Sequence, residues 1–233
     1  MAKKRSKRYE AAAALIEQDR AYPLNEAVGT LKKFPAPKFD PTVTLSFHLG
    51  VDPKKSDQMV RGSVALPHGT GKEVRVIVFA QGDAAKAATD AGADEVGYED
   101  LIKKVQDGFL DFDVAVATPD AMAEVRKIAR VLGPRGLMPN PKTGTVTADT
   151  AKAIKEVKAG RVDYKIDKSS NVAVAIGRAS FSEEQLVDNA TAMLDSISKS
   201  KPASAKGNFI RNVTLAAAMC PGMKLDSSSY TVA

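Results

Sequence analysis

The run Val74 to Ala80, Val-Arg-Val-Ile-Val-Phe-Ala, constrains the fold more than any other stretch because six of its seven residues are apolar. A strand without a polar face must be covered on both sides, as in a parallel sheet flanked by helices. Helix and strand patterns alternate after it as far as Val157, which predicts a small α/β domain with a parallel sheet. The predicted helices span 82–91, 99–107 and 149–157, and the predicted strands span 92–97 and 114–117.

Both ends of the chain follow a different pattern. Positions 43, 45, 47 and 49 are apolar and alternate with Thr, Ser and His, which predicts a half-buried strand with a hydroxyl-rich polar face. His48 on that face has no adjacent carboxylate or cysteine and is interpreted as a plain surface histidine. A hairpin is predicted from strands 162–166 and 172–176 around a turn at 167–171. Helices are predicted at 9–18, at 24–31 and after a capping box at 182–185, and another strand at 209–216.

Glycine and proline cluster at 67–72, and a further glycine stands at position 160. These clusters predict two boundaries, and therefore the segments 1–69, 70–159 and 160–233. Strands and helices of the first and last segments are not in simple βαβ order. The ends therefore look α+β and the middle α/β, so we expect the middle to be an insertion joined by two linkers.

The positive charge of the chain is concentrated at its two ends. The formal charge is +6. Counted from the sequence, residues 1–69 carry 12 basic and 7 acidic side chains, 70–159 carry 13 and 14, and 160–233 carry 9 and 7, giving +5, −1 and +2. If the ends fold together they form one basic domain, which favours a polyanion partner, although basic character also serves solubility alone.

The stretch from Arg126 to Thr147 carries five basic residues and no acidic one. A helix that begins near Ala121 is predicted to end at Leu132, because Gly133 and Pro134 follow. The long loop beyond it has apolar neighbours, Leu137 and Met138, which argue against disorder. Two interpretations stay open at this level, a proline-stiffened connection and a contact to nucleic acid or phosphate.

Several other functions find little support in the sequence. The chain has one cysteine, Cys220, and two histidines, His48 and His68, which excludes an internal disulfide and gives no metal-ligand spacing. The Gly-Lys pair ending at Lys72 is not a phosphate loop, because it precedes a strand and Glu73 replaces the required Ser or Thr. No signal peptide or membrane-spanning run is present, so we expect a cytoplasmic protein with no membrane partner.

The run Gly133 to Val146, Gly-Pro-Arg-Gly-Leu-Met-Pro-Asn-Pro-Lys-Thr-Gly-Thr-Val, closely resembles the signature of the ribosomal protein L-one family, in its bacterial form. Proteins of this family form the mobile side stalk of the large ribosomal subunit. The resemblance extends over essentially the whole chain. Further matching segments are 38–40, 52–53, 56–58, 61–62, 66–69, 92–94, 111–113, 117–120 and 206–207.

The resemblance implies an α+β two-layer domain built from both chain ends, with an inserted three-layer α/β Rossmann-like domain and a hinge. It implies a structural constituent of the large subunit, without catalytic residues or cofactors, that binds large-subunit rRNA mainly through the first domain. It also implies help in the movement and release of exit-site tRNA, contacts with other ribosomal components, and repression of translation of its own operon mRNA, which mimics the rRNA site.

Carried over by position, the resemblance places rRNA-binding residues in both chain ends. Lysines would attract phosphate, while Phe39 and Met219 would present apolar surface to ribose or a base. On residue type alone, an aromatic such as Phe39 is more often a core residue, and Met219 would fill a gap in the core. The rRNA-binding candidates are Lys38, Phe39, Thr42, Lys168, Ala218, Met219 and Cys220, and the candidate tRNA or RNA contacts are Arg126, Arg130, Arg135 and Lys142.

The chain departs from the family pattern at two of these positions. The family usually has Thr-Met-Gly before the proline, whereas this chain has Ala218-Met219-Cys220. The change removes a hydroxyl and adds a Cβ where backbone can approach RNA closely. We therefore expect this turn to contribute less affinity here than in its relatives.

Two alternative functions remain to be compared. One is an enzyme that binds a nucleotide or phosphorylated substrate on the central α/β domain, with Arg126, Arg130 and Arg135 as anion contacts. It lacks a recognisable acid–base pair, and no Gly-x-Gly-x-x-Gly follows the first strand. The other is a general single-strand binder, which would need more exposed aromatics than a chain with 6% aromatic residues offers.

Overall fold

The computed structural model describes residues 5–17, 20–205 and 207–226, with the backbone only for Lys142. Its contacts divide the chain into two compact units. The terminal unit combines the chain up to Gly71 with the chain from Val162 onward, and the central unit is Lys72–Arg161. In the described ranges no helix combines the length and the apolar character that crossing a membrane requires.

The helices and strands follow in chain order, with short 3₁₀ turns at Ser56–Gln58, Arg126–Ile128 and Pro141–Thr143. They are α1 (Lys7–Ala13), α2 (Leu24–Lys32), β1 (Thr42–Leu49), β2 (Arg61–Ala65), β3 (Val76–Phe79), α3 (Asp83–Asp90), β4 (Glu95–Gly97), α4 (Glu99–Gln106), β5 (Val114–Ala117), α5 (Met122–Val125), α6 (Ala129–Leu132), α7 (Thr150–Lys158), β6 (Arg161–Lys165), β7 (Asn171–Arg178), α8 (Glu183–Lys199), β8 (Ile210–Ala217) and β9 (Met223–Leu225).

The terminal unit is built on a four-stranded antiparallel sheet in the order β7-β1-β8-β9. Every second residue of β1, from Val43 to Leu49, is buried, as the alternation predicted. Each such side chain stabilises the fold by about 1.5–3 kcal/mol. Buried faces of α2 and α8 contribute to the same core, and the predicted capping box of α8 at Ser182 and Gln185 is confirmed.

The central unit contains a parallel sheet in the order β4-β3-β5. All four residues of β3 are buried. Ile77 and Phe79 belong to one apolar cluster, which includes α4 and α5 residues, whereas Val76 and Val78 belong to another, which includes α3 and α7 residues. The prediction of a strand covered on both faces is therefore confirmed.

Two predicted helices have different bounds in the structure. The single helix predicted to end at Leu132 is wrong, because α5 and α6 are separated by a 3₁₀ turn. Neither glycine nor proline occurs between Ala121 and Leu132, so the sequence carries no signal of this interruption. The helix predicted at 9–18 is the shorter α1, which begins two residues earlier because the Ser6 side chain accepts the Tyr9 N–H. Gln18 lies outside the described residues.

The predicted hairpin is also wrong. Strand β6 pairs with β2 in a separate two-stranded sheet, and β7 pairs with β1. The turn itself forms, since the Asp167 N–H donates to the Asn171 carbonyl over 2.8 Å. Immediately before it, however, the Ile166 N–H donates to Val60 instead of to β7. The backbone partners of β6 therefore come from a segment that local sequence cannot indicate.

Candidate nucleic-acid interface

Met219 lies at the tip of the tight turn that follows β8. The Ala218 N–H donates to the Thr42 carbonyl over 2.9 Å, and the Cys220 N–H donates to the Ala217 carbonyl over 3.0 Å. Between them Met219 has φ +63°, a left-handed conformation that a side chain with a Cβ rarely adopts. The side chain is 69% exposed and therefore does not fill the core, as residue type alone would suggest.

Phe39 stands in the segment that leads into β1 and is also exposed, at 50%, contrary to the expectation for an isolated aromatic. The next residue fixes the segment. Asp40 accepts the Ser180 hydroxyl over 2.7 Å and the Ser180 N–H over 3.2 Å. The Arg178 guanidinium donates to the Asp40 carbonyl over 3.1 Å. Because Asp40 is held by residues at the end of β7 and just after it, Phe39 is presented to solvent in a defined position.

Six of the seven predicted rRNA residues are thereby brought to one end of the four-stranded sheet. We call this group the Met219 edge, and it combines a cation, two exposed apolar side chains and a hydroxyl. Lys38 is exposed, and no ion pair involves it in the described part of the chain. The members of the Met219 edge are Lys38, Phe39, Thr42, Ala218, Met219 and Cys220.

Lys168 is placed apart from the Met219 edge. It lies in the turn before β7, and Asn171 at the start of β7 pairs with His48 near the far end of β1. At 3.3–3.4 Å per residue, β1 separates the two ends by roughly 23 Å. The turn is fixed by Asp167, whose carboxylate accepts the Ser169 and Asn171 N–H groups. The Asn171 N–H bond is the main cause that lowers the pKa of Asp167, so the carboxylate stays ionised beside the exposed Lys168.

The polar face of the sheet connects the two ends. Thr44, Ser46 and His48 of β1 are half-buried there, beside Asn212 and Thr214 of β8. His48 Nδ1 lies 2.8 Å from Asn171 Oδ1 on this face. Sequence reasoning overlooked Asn212, whose Oδ1 is buried without a hydrogen-bond partner among the described residues. The alternation in β8 could have indicated its position on this face.

Cys220 is half-buried and packs against the main core of the terminal unit. Burial raises the pKa of its thiol, and nearby Arg8 only partly opposes that effect. Because the thiolate is the nucleophilic form, the surroundings disfavour nucleophilic chemistry at this residue.

Three of the four basic residues predicted on the central unit are exposed. Arg126 belongs to the 3₁₀ turn, Arg130 to α6 and Arg135 to the loop that follows, and none makes an ion pair with a described residue. The Lys142 side chain lies outside the described residues. Farther along the loop, the Asn140 N–H donates to Thr145 Oγ over 2.8 Å. The loop is therefore fixed to the unit by its own hydrogen bonds, including one from the Ala117 N–H to the Thr145 carbonyl.

An exposed aromatic and methionine beside lysine, at the end of a hydroxyl-rich sheet face, are typical of an RNA-binding protein. A family model described as the ribosomal protein L1p/L10e family matches residues 31–221 of the 233. The chain therefore belongs to that family, as the motif resemblance predicted. It is a protein of the large ribosomal subunit that binds rRNA, it works on the ribosome in the cytoplasm, and its family is one of structural ribosomal proteins rather than enzymes.

Proposed function

We propose that the Met219 edge is the principal contact of this protein with folded large-subunit rRNA. One observation carries the proposal. Among the described residues only four large hydrophobic side chains are exposed, and two of them, Phe39 and Met219, lie at this edge. The other two are Leu15 and Met59. Exposed apolar side chains presented by hydrogen-bonded turns beside a lysine suit the unstacked bases and riboses of an irregular RNA.

We propose that Lys168, at the far end of β1 from the Met219 edge, belongs to the same RNA interface. Its ammonium attracts phosphate, and the polar face between the two ends carries hydroxyl and amide groups that can bond 2′-hydroxyls. An RNA that contacts both Lys38 and Lys168 must extend along β1 over roughly 23 Å. This length favours a folded RNA over a single flipped nucleotide.

The experiment compares Phe39→Ala and Met219→Ala with Met59→Ala, a control that removes an equally apolar exposed side chain outside the Met219 edge. Loss of the aromatic stacking contact of Phe39 costs about 1–3 kcal/mol, and loss of the apolar contact of Met219 costs about 1.5–3 kcal/mol. Each edge variant should therefore bind the stalk rRNA about 5- to 150-fold more weakly. Filter binding against random RNA of equal length, at several salt concentrations, measures the discrimination. Equal affinities of all three variants would contradict the proposal.

We further propose that the segment 70–159 is a domain inserted into one formed by 1–69 and 160–233, with a hinge between them. Compact clustering of the two chain ends supports this organisation. Limited proteolysis at the two linkers should release a folded central fragment, while the reunited ends retain rRNA binding. Failure of the paired ends to bind the stalk rRNA would contradict the assignment.

The central domain is proposed to contact tRNA and to assist its movement and release from the exit site. Support comes from Arg126, Arg130 and Arg135, which are exposed and have no ion-pair partner among the described residues. Replacing all three with Gln should leave rRNA affinity unchanged and slow tRNA release from ribosomes. The charge-matched control is Lys86→Gln, Lys103→Gln and Lys152→Gln, three exposed lysines of the same unit.

We also propose that the protein represses translation of its own operon mRNA, because one surface that recognises a folded RNA serves any RNA of the same shape. A reporter behind the operon leader should be repressed by the intact protein, and added stalk rRNA should relieve the repression. Phe39→Ala should lose repression in proportion to its loss of rRNA affinity. Repression that persists in this variant would separate the two activities.

A further inference from the structure

A groove of about 370 Å³ lies beside α1 in the terminal unit. Arg5 and Tyr9 line it on the side of α1, and Pro221, Gly222 and Lys224 line the other side. The helix is anchored by Ala12, which is 1% exposed in the main core. Strand β9 is anchored as well, because the Tyr22 N–H donates to the Lys224 carbonyl over 2.9 Å.

The cations that line this groove differ in whether a carboxylate pairs with them. Arg20 forms ion pairs with Glu17 over 3.5 Å and Glu26 over 3.0 Å, so its charge is largely neutralised. Arg5 stacks on the Tyr9 ring at 4.4 Å, and no carboxylate pairs with Arg5 or Lys224 in the described part of the chain. A guanidinium stacked on an aromatic ring keeps its edge N–H groups free for phosphate oxygens.

The groove continues the Met219 edge along the protein surface. Pro221 and Gly222, which line the groove, immediately follow Cys220. From α1, Arg8 lies close enough to Cys220 to affect its pKa. A cationic path therefore leads from the Met219 turn past Arg8 to Arg5 and Lys224.

The family match does not account for this feature. It covers residues 31–221, whereas Arg5, Arg8 and Lys224 all lie outside that range. Arg5 and Arg8, near the start of the chain, therefore supply part of a defined surface.

We propose that this α1 groove binds the ribose–phosphate backbone of the RNA strand that leaves the Met219 edge, so that one RNA molecule occupies both surfaces. The inference rests on the proposed function of the Met219 edge. RNA is favoured over a protein partner because the groove offers unpaired cations and an aromatic face next to the proposed RNA contact. A protein partner would need a larger apolar surface.

The test removes Arg8 together with the two unpaired cations that line the groove, as Arg5→Gln, Arg8→Gln and Lys224→Gln. The variant with Lys86→Gln, Lys103→Gln and Lys152→Gln carries the same net charge and serves as the control. Each lost phosphate contact lowers the slope of log affinity against log salt by about 0.7–0.9, so the groove variant should lose about 2–3 in slope. At physiological salt the corresponding weakening is about 10- to 100-fold. The control should bind like the wild type, and circular dichroism should show both variants folded.

Four outcomes distinguish the possibilities. A loss of slope and affinity in the groove variant alone supports the α1 groove as an RNA site. If the wild type discriminates stalk rRNA from random RNA but the groove variant has the same affinity and salt slope as the control, the groove inference is overturned. The proposed function of the Met219 edge is then unaffected. If the groove variant binds isolated rRNA normally but fails to enter large subunits, the occupant is another ribosomal protein and the RNA inference is overturned. If the wild type shows no discrimination, the proposed function and the inference both fail.

Discussion

Replacing Met219 with glycine should stabilise the protein while weakening its binding to rRNA. Met219 has φ +63° and is 69% exposed. The left-handed conformation costs a residue with a Cβ about 1–2 kcal/mol, whereas glycine adopts it freely. Glycine increases the entropy of the unfolded chain, which offsets about 0.5–1 kcal/mol of that gain. The expected net stabilisation is therefore about 0.5–1 kcal/mol, a rise in melting temperature of about 1–4 °C.

The same substitution removes the side chain that we propose contacts RNA. Burying a methionine side chain against a base or ribose is worth about 1.5–3 kcal/mol, so the affinity for stalk rRNA should fall about 10- to 150-fold. Stability and affinity therefore change in opposite directions. A residue that served only packing would lose both together.

Met219→Ala is the matched comparison, because alanine removes the side chain but retains the backbone strain. Its affinity for rRNA should fall as in the glycine variant, and its free energy of unfolding should lie about 1 kcal/mol below that of the glycine variant. Urea unfolding and filter binding measure the two quantities. An alanine variant at least as stable as the glycine variant would refute the strain argument, and two variants with wild-type affinity would refute the RNA contact.

Three further predictions concern other parts of the structure. Ala218→Thr combined with Cys220→Gly should tighten rRNA binding by restoring a hydroxyl and removing a Cβ; unchanged or weaker binding in a filter assay would contradict this. Asn189→Ala should lower the free energy of unfolding by about 2–4 kcal/mol in urea titrations, because the fully buried amide bonds the carbonyls of Gly69 and Ile176 and accepts a backbone N–H. The Lys72 ammonium lies 2.5 Å from the Asp113 carboxylate and lowers the pKa of Asp113 in the folded protein. This carboxylate therefore stabilises the fold at any pH above its pKa in the unfolded chain, and its contribution is lost as the pH falls below about 4. Asp113→Asn should flatten the acid limb of a stability–pH curve measured by urea midpoints, and an unchanged limb would show that Asp113 does not contribute to it.

Elements with strong local patterns could be predicted from the sequence alone. The alternation of β1 and the continuous apolar run of β3 each specify how many faces of a strand are covered, and the structure has both as expected. The capping box and the apolar face of α8 indicate this helix in the sequence. In these cases the determining interactions lie within one element, so a short window of sequence contains them.

Other features depend on contacts that are distant in sequence. The hairpin prediction failed because the Ile166 N–H bonds Val60, about a hundred residues earlier in the chain. Phe39 is exposed because Asp40 beside it is bonded to Ser180, and residue type alone favoured burial. The left-handed conformation of Met219 follows from the tight turn after β8, where a sequence pattern would place glycine.

The Met219 edge depends on strand register as strictly as the core does. Its two parts come from the start of β1 and the end of β8, and they meet because Val43 pairs with Ala217. A shift of one residue would turn the core side chains of β8 towards the polar face. Such a shift would also move Met219 relative to Phe39 by a full residue, about 3.4 Å. Leu45 and Phe47 are buried beside their partners in β8, so a change of register would cost the free energy of burying these side chains. The packing of the hydrophobic core therefore also fixes the distance between Phe39 and Met219, the two apolar side chains proposed to contact RNA.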